Sequence, residues 1–280
     1  MPSRLSGVSV VCVFVVGMVL AGPGRAGAVA EARLSELQFS LVDLAPDDGI
    51  APSFSIVADP DAPNRQRTEL TVSVDHSGLG THDDAILADF SFIATLNLTR
   101  SVTLQQAEAS TTDTSLQARA VSLARGSATA FASAESNVFF ADDFGISVSP
   151  HTALTVTADA SVTALDTGAA GAEGHAYEHA RAEAFLRIRG ADPGDGSGPQ
   201  DSFSQRSAIT AVDAAVDDLD NSGLLSISFH NLSAAPLFGY LSARATASAF
   251  GVTAVVPEPA SAALVLAGLA ALVAARRARR

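Results

Sequence analysis

Lysine and tryptophan are absent from this sequence, and cysteine occurs once. Cys12 lies inside the first apolar run, so the rest of the chain can form neither a disulfide framework nor a thiolate zinc site. A packed core must therefore supply its stability. Cys12 is not a lipoprotein cysteine either, because Val10 and Val11 stand where small residues should precede one. Aromatic residues make up only 6% of the chain, which argues against a sugar-stacking surface, Tyr177 and Tyr240 apart.

With no lysine, all 17 basic residues are arginine, and six of them (Arg4, Arg25, Arg276, Arg277, Arg279 and Arg280) lie in the terminal segments. The remaining 11 face nearly all of the 30 carboxylates, so the body is more acidic than the net charge of −13 for the whole chain suggests. Nucleic-acid affinity rests on clustered cations that release counterions, so a nucleic-acid partner is not expected. An acidic surface favours solubility and suits cations, or a polyanionic matrix bridged by cations. The 280 residues are enough for one large β domain once the ends are set aside.

The first end reads as a secretory signal, residues 1–30. Arg4 supplies the positive charge, Val8 to Leu20 is apolar but for Ser9 and Gly17, and Ala26-Gly27-Ala28 and Ala28-Val29-Ala30 both offer an A-x-A cleavage pattern. The run is shorter than the roughly 20 residues of a comfortable membrane span. Signal peptidase and the Sec export machinery are the expected partners.

The other end, residues 256–280, has three adjacent parts. Val256-Pro257-Glu258-Pro259 is held extended by its prolines, Ala260 to Ala275 is small and apolar throughout, and Arg276, Arg277, Arg279 and Arg280 close the chain. As a helix the apolar stretch would be about 24 Å long, thin for a hydrocarbon core of about 30 Å, and arginine side chains can snorkel to cover part of the difference. Arginines remaining on the cytoplasmic side place the body on the far side. This order resembles the PEP-CTERM sorting signal of Gram-negative bacteria. The resemblance implies recognition of Pro257-Glu258-Pro259 by an exosortase, a membrane cysteine transpeptidase. It also implies transient anchoring in the inner membrane with a periplasmic body, then release toward the cell surface, often in strains that make exopolysaccharide.

Residues 31–255 carry period-two alternation. Leu37, Phe39 and Leu41 alternate with polar or smaller neighbours, as do Leu70, Val72 and Val74; Phe90, Phe92 and Ala94; Leu154, Val156 and Ala158; and Leu225, Ile227 and Phe229. Three long segments, 117–134, 175–189 and 241–255, place small residues at every second position, with Ala118, Ala120, Ala124, Ala128, Ala130, Ala132 and Ala134 on one face, completed by Ser122 and Gly126, and Ala243, Ala245, Ala247 and Ala249 on another. Alanine favours helix in isolation, but strict alternation fits a strand, and a small-residue face lets two sheets approach closely. For 175–189 a helix stays open. The expected body is an all-β, antiparallel, jelly-roll-like sandwich of roughly eight to twelve strands, flanked by a signal helix and a transmembrane helix. The turn-bearing stretch Leu41 to Pro52 resembles a domain that recurs before PEP-CTERM tags, which brings no activity with it. Gly190 to Asp201 reads as a long loop within the fold.

Candidate chemistry is sparse. His175, Glu178 and His179 match the H-x-x-E-H pattern of inverted zinc proteases, but that site needs a helix, and along a strand the two histidines would stand about 13 Å apart. Asp218 to Gly223 resembles the opening of an EF-hand loop, yet Phe229 stands where the closing glutamate should be, and a turn before a strand at 224–230 explains the same residues. Asp59/Asp61, Asp83/Asp84, Asp142/Asp143 and Asp192/Asp195 are further acidic pairs open to weak calcium binding. Asp75-His76-Ser77 makes no nucleophile arrangement, and neither a G-x-S-x-G elbow nor a phosphate-cradling glycine loop occurs. No catalytic residue, dedicated metal site or required cofactor is expected. The sequence points to a non-enzymatic cell-surface or biofilm-matrix protein, or alternatively to a module binding polysaccharide or calcium through acidic loops.

Overall fold

A computed structural model describes residues 27–57, 66–76, 80–102, 105–123, 126–138, 145–166, 179–210 and 217–253. The expected signal and transmembrane helices lie outside these residues. Among the described residues the regular secondary structure is strand, joined by turns and loops, and no helix is long and apolar enough to cross a membrane.

Fourteen strands are described, more than expected. They are β1 (Ala28–Asp43), β2 (Phe54–Val57), β3 (Gln66–His76), β4 (Thr81–Asp89), β5 (Leu96–Val102), β6 (Gln105–Thr111) and β7 (Leu116–Ser122). The second half adds β8 (Gly126–Val138), β9 (Gly145–Val148), β10 (Thr152–Asp166), β11 (His179–Gly190), β12 (Gln200–Ile209), β13 (Asp217–Asn231) and β14 (Leu237–Thr253). One sheet has the order β13-β10-β1-β7-β6-β5; the other runs β12-β11-β14-β8-β3-β4, with β9 on the start of β14 and β2 on β9. The ladders joining these strands are antiparallel.

The alternation turns directly into two faces. Ala28, Ala30, Ala32 and Leu34 of β1 and Ala118 and Ala120 of β7 are buried on one sheet. Ala130, Ala132 and Ala134 of β8, Ala180, Ala182 and Ala184 of β11 and Ala243, Ala245, Ala247 and Ala249 of β14 are buried on the other. The 117–134 segment thus spans two strands in different sheets, whose even-numbered alanines line the same core. Because a methyl group is all that stands between the backbones, Cα atoms of β14 come within 8 Å of those in β1 and β7 across the interface. Ordinary stacked sheets lie about 10 Å apart. Larger side chains (Leu154 of β10, Leu186 and Ile188 of β11, Phe229 of β13 and Leu241 of β14) fill the opposite end of the interface. Phe229 reaches its place only because two paired glycines make room. A Cβ on Gly190 would stand 2.3 Å from its ring, and one on Gly239 3.3 Å from it.

In β1 the inward parity changes from even (Ala32, Leu34) to odd (Leu37, Phe39, Leu41). The change falls at a register shift between Ser35 and Gln38, where Glu36 has φ 55°. One extra residue in a bulge flips every later side chain to the other face, so the hydrophobic pattern follows the core through the irregularity.

The sheets are also sutured at one pair of edges. Ser228 N–H donates to Ser202 Oγ at 3.1 Å, and His230 N–H donates to Gln200 Oε1 at 2.8 Å. Gln200 Nε2 donates to the His230 carbonyl at 2.7 Å, and Asn221 Nδ2 to the Ser207 carbonyl at 3.2 Å. Side chains of the two strands thus satisfy backbone groups of edge strands that would otherwise offer themselves to another chain.

Two sequence expectations are corrected. Phe90, Phe92 and Ala94 form a turn, not a strand, with Ile93 at φ 57°. Buried hydroxyls hold it: Ile93 N–H donates to Ser136 Oγ at 2.8 Å, and Thr68 Oγ1 donates to the Ser91 carbonyl at 2.8 Å and accepts from Ala94 N–H at 3.0 Å. Asp218 to Gly223 is no turn either, since β13 starts at Asp217 and pairs with β10 through those residues. Gly223 holds φ 155°, a backbone conformation that side-chain-bearing residues rarely adopt.

Overfilling the alanine interface tests this account. Ala245→Leu should lower the unfolding free energy by about 1–3 kcal/mol, whereas Gln205→Leu on the exposed face should change it by less than about 0.5 kcal/mol. Urea titration of both variants measures the difference.

Candidate ligand-binding face

The outer face of the second sheet is where polar side chains converge. Register alone sets its rows. Across β12, β11, β14, β8 and β3 one row reads Gln205, Phe185, Arg244, Glu135 and Glu69, and the next reads Ser207, Glu183, Thr246, Ser133 and Thr71. A third holds Arg181, Ser248 and Phe131; on the other side stand Arg187 beside Ser242, and Arg189 beside Tyr240. These residues alternate with the core alanines, so the sequence periodicity that builds the core also builds this face.

Most of the face is half-buried rather than fully exposed, because the sheet curls around it. Two clefts result. One, of about 440 Å³, is lined by Glu69, Phe131, Glu135, Glu183, Arg244 and their hydroxyl neighbours Thr71, Ser133, Thr246 and Ser248. The second, of about 830 Å³, lies at the far end of β11 between Arg187, Arg189, Gln200, Asp201 and Tyr240. Both volumes fall in the range of small-molecule sites.

Much of the charge is neutralised internally. Glu183 holds Arg181 at 3.0 Å and Arg244 at 3.3 Å, while the Arg244 guanidinium lies 4.3 Å from the centre of the Phe185 ring. Arg67 pairs with Glu69, and Glu135 accepts from Asn137 Nδ2 at 2.7 Å. Asp201 takes a bidentate grip from Arg187 at 2.9 and 2.6 Å, which holds its carboxyl below the usual range and raises the guanidinium's affinity for its proton. Arg189 reaches the same carboxylate only at 3.7 Å.

The residues singled out from sequence are scattered. His179 opens β11 with its ring 5.2 Å from that of Phe250, and His175, Tyr177 and Glu178 lie outside the described residues. Asp83 pairs with Arg100 and Asp84 with His82, while Asp59, Asp61, Asp142 and Asp143 lie outside the described residues. Among the described residues no three His, Cys, Asp or Glu side chains gather as a metal site would require. The face itself went unread in the sequence, although Arg181-x-Glu183-x-Phe185-x-Arg187-x-Arg189 carries its signal.

The terminal motif is a separate matter, settled by comparison. The family model of the PEP-CTERM protein-sorting motif matches residues 255–280. The chain carries the PEP-CTERM protein-sorting motif. The match spans Val256, Pro257, Glu258 and Pro259 together with the closing arginines Arg276, Arg277, Arg279 and Arg280, all of which lie outside the described residues. No curated protein matches this chain. Among solved structures, one from work on the structural basis for the promiscuous specificity of carbohydrate-binding modules of the β-sandwich superfamily aligns at 11% identity over 73% of this chain and 97% of its own, with a TM-score of 0.14. Likeness of that degree carries no argument about fold or ligand.

Two acidic loops of the body use their carboxylates internally. Asp192 accepts from the backbone N–H groups of Gly194, Gly198 and Gly196, and these bonds hold its carboxyl below the usual range. They order the Gly190–Asp201 loop between β11 and β12. In the Leu41–Pro52 stretch Asp48 bonds His151 Nδ1 at 2.5 Å and accepts Ile50 N–H at 2.7 Å, which lowers its carboxyl in the same way. His151, at φ 50°, also accepts Leu44 N–H on its carbonyl at 2.7 Å. A carboxyl whose folded value lies below its unfolded one stabilises fully above the unfolded value and loses that contribution as pH falls toward the folded one. For Asp48 the loss sets in below its ordinary value of 3.8. The stability gap between the wild type and Asp48→Asn should therefore be full near about pH 6 and close on acidification toward about pH 2, as read by thermal melts across that range.

Proposed function

We propose that this chain is an exported, exosortase-sorted protein of the cell surface or extracellular matrix, whose body serves a structural rather than an enzymatic role. The observation that carries the reading is the PEP-CTERM motif at residues 255–280. Pro257-Glu258-Pro259 gives an exosortase its recognition segment, Ala260 to Ala275 its membrane segment and the terminal arginines a cytoplasmic anchor. Sec and signal peptidase act at the other end, within residues 1–30, and the body between them is passed from the inner membrane to the outside.

The body suits such a career. Beyond the signal it has no cysteine to be oxidised after export, and its packed sheets form a broad apolar core. The side-chain bonds between β12 and β13 cover edge backbone that would otherwise invite aggregation in a crowded matrix. Support for polysaccharide binding as the second reading comes from the hydroxyl- and arginine-lined face of β11 and β14, and not from the acidic loops, whose oxygens at Asp48 and Asp192 are already bonded within the protein.

Intact mass of the protein recovered from its native host, with and without a working exosortase, tests the sorting reading. The expected result is loss of the signal segment in both strains, by a cut after Ala28 or Ala30 at the very start of β1, and of the tail near 257–259 only where exosortase is active. A protein that keeps its arginine tail in both strains would be an ordinary anchored surface protein.

A further inference from the structure

The chain enters and leaves the sandwich at one corner. Ala28, the first residue of β1, lies opposite Ser122 in the first sheet, and Thr253, the last of β14, lies opposite Gly126 in the second. Ser122 ends β7 and Gly126 begins β8, so both ends of the body flank the short junction between those strands. They crowd it: a Cβ on Gly251 would stand 3.1 Å from Ser122 Oγ, and one on Gly27 2.3 Å from the Leu123 side chain. β1 lies between β10 and β7, and β14 between β11 and β8, so each leaves from within its sheet rather than from an edge. This corner belongs to the alanine end of the interface. The loops 44–53, 191–199 and 232–236 and the larger cleft stand at the leucine end, and the 16 residues of β1 put about 50 Å between the two.

Only six residues, 254–259, separate β14 from the apolar stretch that begins at Ala260, and fully extended they reach about 20 Å at most. Pro257 and Pro259 restrict themselves and the residues before them, which makes this segment a strut rather than a swivel. Laying the body on its side would require that strut to bend sharply where the strand ends. It would also press an acidic body, 11 arginines against nearly all of the 30 carboxylates, onto anionic headgroups.

We propose that the alanine end of the sandwich is the face turned toward the inner membrane while the tail anchors the chain, and that the leucine end is the face presented outward. The partner of the alanine end is the lipid headgroup layer, kept near by the length and stiffness of the strut and not by adhesion. An enzyme that cuts at Pro257-Glu258-Pro259 therefore works in a gap no taller than about 20 Å, beside the junction of β7 and β8. The larger cleft, lined by Arg187, Arg189 and Tyr240, opens at the outward end and meets ligands from outside. This orientation rests on residues 256–280 acting as a membrane segment and does not need the exosortase, whose cut would end the arrangement rather than create it.

Energy transfer to the bilayer tests it. The body contains no cysteine, so single cysteines can carry a donor dye: Thr81→Cys and Ser101→Cys at the alanine end and Ala234→Cys at the leucine end, all exposed positions. Each variant, with Cys12→Ser, is exported in a strain lacking exosortase, so that it keeps its tail. It is then reconstituted into vesicles of phosphatidylethanolamine and phosphatidylglycerol whose headgroups carry the acceptor. Donors at 81 and 101 should transfer at least about twofold more of their excitation than the donor at 234, which stands about 50 Å farther from the bilayer. Inserting about 20 Gly/Ser residues after Ala254 should make the three values converge, because a flexible linker of that length frees the body to turn. Equal transfer from all three positions without the insertion, or more from 234, overturns the orientation. A difference that survives the insertion overturns the short strut as its cause. Protein that does not float with the vesicles overturns the membrane segment and this proposal with it, whereas protein that floats and orients as stated but is never cut by exosortase refutes the sorting reading alone.

Discussion

The close approach of two alanine-lined sheets is the constraint on which the rest of this molecule depends. A methyl group contributes little buried area, so each alanine adds less hydrophobic stabilisation than a leucine would. What the alanines provide is proximity. With Cα atoms of β14 within 8 Å of those in β1 and β7, the sheets pack backbone against backbone over a long shared stretch. Dispersion between closely packed atoms then accumulates where side-chain bulk is missing. The core needs many strands for this reason: a thin interface must be wide, and fourteen strands give it width.

Thinness at one end forces thickness at the other. Both sheets run the same strands from an alanine end to a leucine end: β11 from Ala180 to Ile188, β14 from Ala249 back to Leu241, β10 from Ala164 back to Leu154. The sandwich is therefore graded along its strands, and Phe229 sits at the thick end against Gly190 and Gly239. Gly190 is also where β11 gives way to the Asp192 loop, whose far side begins β12 and the stitches to β13. Core packing, loop geometry and edge protection thus meet at one corner.

Much of this was legible in the sequence because a period of two survives every local choice of residue. The alanine segments announced strands against their own helical propensity, since Ala243 to Ala249 at every second position cannot form a continuous stripe on a helix. The turn at Phe90–Ala94 was not legible. Its alternation is genuine, but three buried hydroxyls distant in sequence, Thr68, Thr111 and Ser136, bind its backbone and override the pattern. Asp218 to Gly223 misled for the opposite reason. Asp, Asn and Gly favour turns on their own, yet a long partner, β10, offered a ladder that extends through them. The sorting motif needed no fold at all to be read, being a linear signal of prolines, apolar residues and arginines.

The outer face was the least legible part, and the reason is physical. A core residue is recognised by being apolar at the right period, whereas a binding residue on the opposite face is recognised only by what lies across from it. Arg181, Glu183, Arg187 and Arg189 read as an ordinary solvated strand face until register sets Ser248, Thr246, Ser242 and Tyr240 against them. The local charge balance then differs from that of the whole chain. A protein of net charge −13 repels polyanions at long range, but salt screens that field within about 8–10 Å, so at contact the paired and unpaired groups of one face decide. Net composition and local chemistry therefore carry different information. Composition excludes non-specific affinity for polyphosphates, whereas the geometry of one face sets guanidiniums against the protein's own carboxylates, Arg181 and Arg244 against Glu183 and Arg187 against Asp201.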